Sequence, residues 1–247
     1  MTFTSSLKRG LVAGVCAGIV AALFAFVVAE PTINRSIALE GQRAAATSAD
    51  RSAAGQSTAT AADPVSRDVQ RRVGAPAGFV LVGLGLGAMF GLLYAGLSRV
   101  AGDGDPWRRS IGLAASAVAA VVVVPFLRYP PNPPGVGDPD TINERTRYYL
   151  AALLLGIAVV VGAWRLLRYL CERGWPPYQR QLATAVPAVI IVALGFLVMP
   201  TPADAILIPP KLLWDFRIQS LATQLLVWGT LAAVFGVLTE RAARASR

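Results

Sequence analysis

Ten charged side chains, Glu30, Glu40, Arg67, Arg128, Asp138, Asp140, Glu144, Arg145, Asp215 and Arg217, stand just outside long apolar runs rather than within them. Carboxylates in such places can build an oxygen-rich vestibule for a divalent cation, with the Asn132 amide and loop carbonyls completing the shell. Glu30 and Asp138 are the weak metal-ligand candidates, with binding and purely structural pairing both open for them. The same groups can also pair as arginine–carboxylate clamps that lock neighbouring helices. For the arginines the clamp is the better reading, because a cation repels a cationic substrate. With Tyr129 and Gln224 these residues make a candidate outer gate: Glu30, Glu40, Arg67, Arg128, Tyr129, Asn132, Asp138, Asp140, Glu144, Arg145, Arg217 and Gln224.

Much chemistry is excluded by residue type. The chain has no histidine. That removes bis-histidine haem ligation, Ser/His proteolysis, histidine-based phosphatase chemistry and HExxH zinc sites. No GxxxxGK[ST] motif is present, and neither Lys8 nor Lys211 follows a glycine-rich turn, so no P-loop binds ATP. Two-aspartate intramembrane catalysis would need carboxylates inside the apolar runs, and these have none. The expectation is a non-enzyme with no catalytic residues and no resident cofactor. Polar groups inside the runs are neutral: Tyr94, Ser116, Ser220, Thr223 and Gln224.

The elements that must position these groups are membrane helices. Of 247 residues 55% are apolar and 15% charged, with a mean hydropathy of +0.55. Soluble domains carry nearer a quarter charged residues. Residues 10–29, 73–98, 110–127, 148–164, 181–203 and 218–239 lack Asp, Glu, Lys and Arg. A spanning helix needs about 20 such residues, so the chain reads as one membrane domain over 1–247: an all-α integral membrane protein with six transmembrane helices. The first run could instead be a signal peptide, with Lys8 and Arg9 before it and Val27, Val28 and Ala29 resembling a cleavage site. Its length exceeds the usual 7–15-residue core of such a leader.

The net charge of +9 does not point to nucleic acid. Segments 1–9, 98–109, 165–180 and 239–247 hold 12 Lys and Arg in 46 residues, against 11 in 77 for segments 30–72, 128–147 and 204–217. Acidic residues run the other way, 4 against 10. The positive-inside bias puts both termini in the cytoplasm. Cys16 lies in the first span and Cys171 in a cytoplasmic loop, which makes a disulfide between them unfavourable.

The outer connections are 30–72, whose low-complexity middle 41–62 reads as a flexible tether or weak helix, the proline-rich loop 128–147, and 204–217. Spans 1, 3 and 5 should end at Pro31, Pro130 and Pro200. Spans 2, 4 and 6 should begin with a polar turn. Asp63-Pro64 offers an N-cap, Thr141 with Glu144 a capping box that starts a helix near Ile142, and Pro209-Pro210 the opening of the last helix. The pattern is that of three helical hairpins of one orientation, unless prolines and aromatics merely mark the membrane interface. Gly10, Gly14 and Gly18, and Gly83, Gly87 and Gly91, recur every fourth residue and predict close helix packing.

Four stretches together resemble the CbtA family of predicted cobalt transporter subunits. They are 30–40 (EPTINRSIALE), 65–70 (VSRDVQ), the loop 125–149, and 212–224 (LLWDFRIQSLATQ) with Trp228. The loop is similar to the family pattern YPxNPPxVGDPxTIxxRTxxY almost position for position. The resemblance implies a multi-pass protein of the bacterial plasma membrane that serves cobalamin-linked cobalt uptake. It also implies a small, histidine-bearing, single-span CbtB-like partner. Cobalt(II) favours imidazole nitrogen alongside oxygen, and this chain offers only carboxylates, amides, carbonyls, Cys16 and Met199. A weak oxygen site suits conduction; the selective site is better assigned to the partner. Without an ATP motif, the membrane potential can drive entry: about 4.6 kcal/mol for a divalent cation across 100 mV, twice about 2.3 per charge. The competing expectation is a structural or assembly subunit that transports nothing.

Overall fold

In lipid every backbone N–H and C=O must find its partner inside the chain, so apolar runs of spanning length become helices. The structure, a computed structural model, describes residues 2–53, 69–100, 104–134, 136–137, 139–201 and 208–245. Among them there is no strand, and six helical stretches are long and apolar enough to cross a membrane. In chain order the elements are α1 (Phe3–Phe24), a π turn (Ala25–Ala29), α2 (Glu30–Ala53), a π turn (Gln70–Gly74) and α3 (Ala75–Val100). Then come α4 (Pro106–Ala117), a π turn (Val118–Val123), α5 (Val124–Arg128), a 3-10 turn (Pro139–Thr141), α6 (Ile142–Glu172), α7 (Pro177–Val198) and α8 (Pro210–Ala245).

Pro31 does not end the first helix, contrary to expectation. The helix runs through it into α2, and the segment 41–53 of the low-complexity stretch is helical as well. The reason is the π turn immediately before it. Glu30 donates its N–H to the Ala25 carbonyl five residues back. This wider turn makes room for a proline ring that would otherwise strike the preceding turn. The device occurs three times. Ala75 donates to Gln70 just before Pro76, and Val124 to Ala119 just before Pro125. The π turns thus admit prolines into helices that continue on both sides. From Phe3 to Ala46 the first helix counts 44 residues, a contour of about 66 Å against about 30 Å of hydrocarbon.

The other outer boundaries follow the sequence more closely. α5 stops at Arg128, ahead of Pro130, and α7 stops at Val198, ahead of Pro200. α6 begins at Ile142, but not through a capping box. Thr141 has helical backbone angles and its side chain makes no cap bond. The 3-10 turn over Pro139–Thr141 has already begun the coil, and a residue in helical conformation cannot hold its hydroxyl toward N2 or N3 as an extended N-cap does. Asp63 and Pro64 lie outside the described residues. One cap goes unforeseen: Asp105 accepts from Trp107 N–H at 2.9 Å with Pro106 at the first helical position of α4.

Two compact units make up the chain. The first holds residues 1–114, 132–136 and 207–247. Its centre is the antiparallel seam of α1 and α3. A Cβ on Gly10 would lie 2.1 Å from the Gly87 carbonyl oxygen, one on Gly14 2.2 Å from that of Gly83, and one on Gly18 2.6 Å from that of Phe79. No side chain fits, and the two backbones touch. α8 packs against α1, with Phe235 set on Phe90 and Tyr94 at 5.2 and 4.8 Å between ring centres. The Ser110 hydroxyl donates to the Ala232 carbonyl at 2.8 Å, and Trp107 lies over Gly236. The second unit holds 115–131 and 137–206. There a Cβ on Gly156 would fall 2.1 Å from the Ala120 carbonyl oxygen, and Trp164 donates to the Ser116 hydroxyl at 2.9 Å. α7 runs alongside α6 and carries Pro187 in its interior.

Candidate functional site

The candidate gate residues belong partly to each unit. In the first, Glu30 opens α2 and is half-buried, while Glu40 is exposed three turns further on. Between them Thr32 and Ser36 are buried on one face, the Ser36 hydroxyl donating to the Thr32 carbonyl at 3.1 Å. Arg217, near the start of α8, donates to Asn132 Oδ1 at 3.0 Å and lies 5.8 Å from the Trp214 ring. Its partner is an amide oxygen, not a carboxylate. Asp215 accepts from Lys211 at 2.7 Å one turn earlier, the i,i+4 spacing that brings two side chains together on a helix. Gln224 is exposed two turns below Arg217.

A groove of about 400 Å³ opens between α2 and the start of α8, lined by Arg35, Leu39, Gln42, Lys211, Leu212 and Asp215 among others. Sequence reasoning missed it. The only local signals were the Lys211/Asp215 spacing and the helix-opening prolines 209 and 210.

In the second unit Arg128 and Tyr129 tie the end of α5 to the end of α7. Arg128 donates to the Met199 carbonyl and to the Thr201 hydroxyl, the latter at 3.1 Å, and its guanidinium lies 5.5 Å from the Tyr129 ring. The Tyr129 hydroxyl donates to the Pro200 carbonyl at 2.8 Å, and its ring stacks on Tyr148 at 6.3 Å. These bonds hold the segment just past α7, at Met199–Thr201, to the end of α5. Arg145 rests against Gly137, whose φ of +102° is a backbone conformation that suits glycine. A side chain at 137 would collide with that guanidinium, at 2.1 Å. Asp140 is exposed on the 3-10 turn.

Glu144 meets Arg147 at 3.9 Å with both side chains more than half exposed. Such surface pairs contribute little. Glu144→Gln is therefore expected to leave the melting temperature in detergent unchanged, a difference under about 0.5 kcal/mol.

Arg67 and Asp138 lie outside the described residues. Among those described, no group of three or more Cys, Asp and Glu side chains is gathered to hold a metal ion. Among the candidate gate arginines, Arg128 bonds to a carbonyl and a hydroxyl, and Arg217 to an amide. The chemistry on view is that of holding helix ends in register.

No curated protein and no solved structure matches the chain. One family does: probable cobalt transporter subunit (CbtA), over residues 3–240 of the 247. With nearly the full length covered, and six helices of spanning character beneath it, the chain belongs to the CbtA family of probable cobalt transporter subunits.

Proposed function

We propose that this multi-pass protein is the membrane component of a divalent-metal uptake system, with cobalt(II) as the cargo and cobalamin supply as its use. The observation that carries this reading is the family match over 3–240 on a chain with six candidate spans. The chain lies in the bacterial plasma membrane with both termini in the cytoplasm, as its Lys and Arg distribution favours, and its helices form three hairpins of like orientation. It is not an enzyme. Selectivity for cobalt comes from a small histidine-bearing single-span partner, because this chain supplies no imidazole and cobalt(II) favours it. Glu30 and Asp138 are candidate oxygen ligands for the passing ion, each in its own unit, and Arg67, Asp140, Glu144, Arg145 and Gln224 are further gate candidates.

The test is cell-associated cobalt at limiting supply, in cells making this chain with its partner, each confirmed in the membrane. Accumulation several-fold above cells lacking the chain is expected, and Asp138→Asn should lower it at unchanged protein level. Equal cobalt in both strains would overturn the reading and leave a subunit that assembles a larger complex without transporting.

A further inference from the structure

The outer half of α8 carries two stripes side by side. Trp214, Ile218 and Leu225 are exposed and apolar, and share one face at the helical repeat. Arg217, Ser220 and Gln224 share the adjoining face at spacings of three, four and seven. Gln224 is exposed and Ser220 half-buried. The apolar stripe suits lipid. The polar one does not, for Gln224 stands about 10 Å further along the axis than Arg217, inside the apolar run of 218–239.

An amide in hydrocarbon must be satisfied by some other group. Neither Gln224 nor Ser220 has a hydrogen-bond partner among the described residues. The neighbouring Thr223 shows the contrast. Its hydroxyl folds back onto the Gln219 carbonyl at 2.8 Å, as lone hydroxyls in membrane helices do. Ser220 forms no such bond with its own helix. At the top of the polar stripe, Arg217 is joined to Asn132 in the proline-rich loop, so the stripe is continuous with the water-facing end of the unit. Water reaching down the stripe satisfies the Ser220 hydroxyl and the Gln224 amide, and a lipid tail satisfies neither.

We propose that Arg217, Ser220 and Gln224 line a water-filled crevice that enters the membrane along α8 from the end bearing Trp214 and reaches at least Gln224. Resting on the transport reading above, it is the entry path for a hydrated divalent cation. Its walls below Arg217 offer a hydroxyl and an amide, neutral oxygens that touch a hydrated ion through its own waters. Arg217 keeps its clamp role at the mouth, bonded to Asn132, and the ion's path runs along Ser220 and Gln224.

The experiment measures water access directly. In a chain carrying Cys16→Ser and Cys171→Ser, each of Trp214→Cys, Ser220→Cys, Gln224→Cys and Leu225→Cys is made singly. A charged, membrane-impermeant methanethiosulfonate is then applied to intact cells and to inverted vesicles. The Gln224→Cys and Ser220→Cys variants should react from the same side as Trp214→Cys, and at least ten times faster than Leu225→Cys. If Gln224→Cys reacts no faster than Leu225→Cys, lipid or a partner's helix covers the stripe and the crevice is refuted. Labelling is read without metal, so a chain that labels as expected yet accumulates no cobalt keeps the crevice and loses the transport reading.

Discussion

Replacing Gly87 by leucine is expected to remove most of the folded protein. A Cβ at that position would lie 2.1 Å from the Gly10 carbonyl oxygen and 2.8 Å from the Gly14 Cα. Both obstacles are backbone, so no rotamer change relieves them, and α1 and α3 must separate. Overpacking a fitted interior costs about 1–3 kcal/mol and occasionally more, and the seam that would part is the centre of the first unit. Because backbone meets backbone at this seam, the cost should exceed that range, and loss of most of the monodisperse peak in size-exclusion chromatography is the expected readout. Gly85 supplies the control. It lies two residues away on the same helix, and a Cβ there meets nothing within 4 Å. Gly85→Leu should behave as the parent does. Equal recovery of the two variants would mean that α1 and α3 do not approach so closely.

The second large effect is expected at Arg128. Its guanidinium donates to the Met199 carbonyl and to the Thr201 hydroxyl, 71 and 73 residues along the chain. A positive group is well placed there, just past the negative end of the α7 dipole. Hydrogen bonds from a charged donor contribute about 1.5–3 kcal/mol each. Arg128→Ala should therefore lower stability by about 3 kcal/mol, seen as a drop in melting temperature in detergent. Both bonds come from the one Nη2, so Arg128→Lys, which keeps the charge but has a shorter reach and no planar group over the Tyr129 ring, should recover only part of it. Tyr129→Phe, which loses one neutral bond to Pro200, should cost about 1 kcal/mol. An unchanged melting temperature for Arg128→Ala would show that this latch does not hold α5 to α7.

Which of these features could be read from the sequence depends on how far apart the partners stand along the chain. Six apolar stretches are a local property, and so is the four-residue glycine spacing that became the α1–α3 seam. The start of α6 at Ile142 was legible, while its cause was not: Thr141 and Glu144 have the right types for a capping box, yet a 3-10 turn had already set Thr141 into helical angles. Pro31 misled for a related reason. A proline need not stop a helix: Pro187 lies inside α7 without a π turn, and no sequence pattern announces that the turn before Pro31, Pro76 or Pro125 will be π. The partners of Arg128 and Arg217 were beyond local reading altogether. Charge suggested carboxylates, whereas the partners are a carbonyl and a hydroxyl just past α7 and the side-chain amide of Asn132 in the proline-rich loop. No motif encodes an orphan carbonyl 71 residues away.

The π turn at Ala25–Ala29 has a mechanical side. Beyond it α2 continues for 24 residues as far as Ala53, a rod of about 36 Å. The π turn at its base, where hydrogen bonds span five residues instead of four, is the natural place for the rod to bend. A bend of only ten degrees there would carry its tip through about 6 Å.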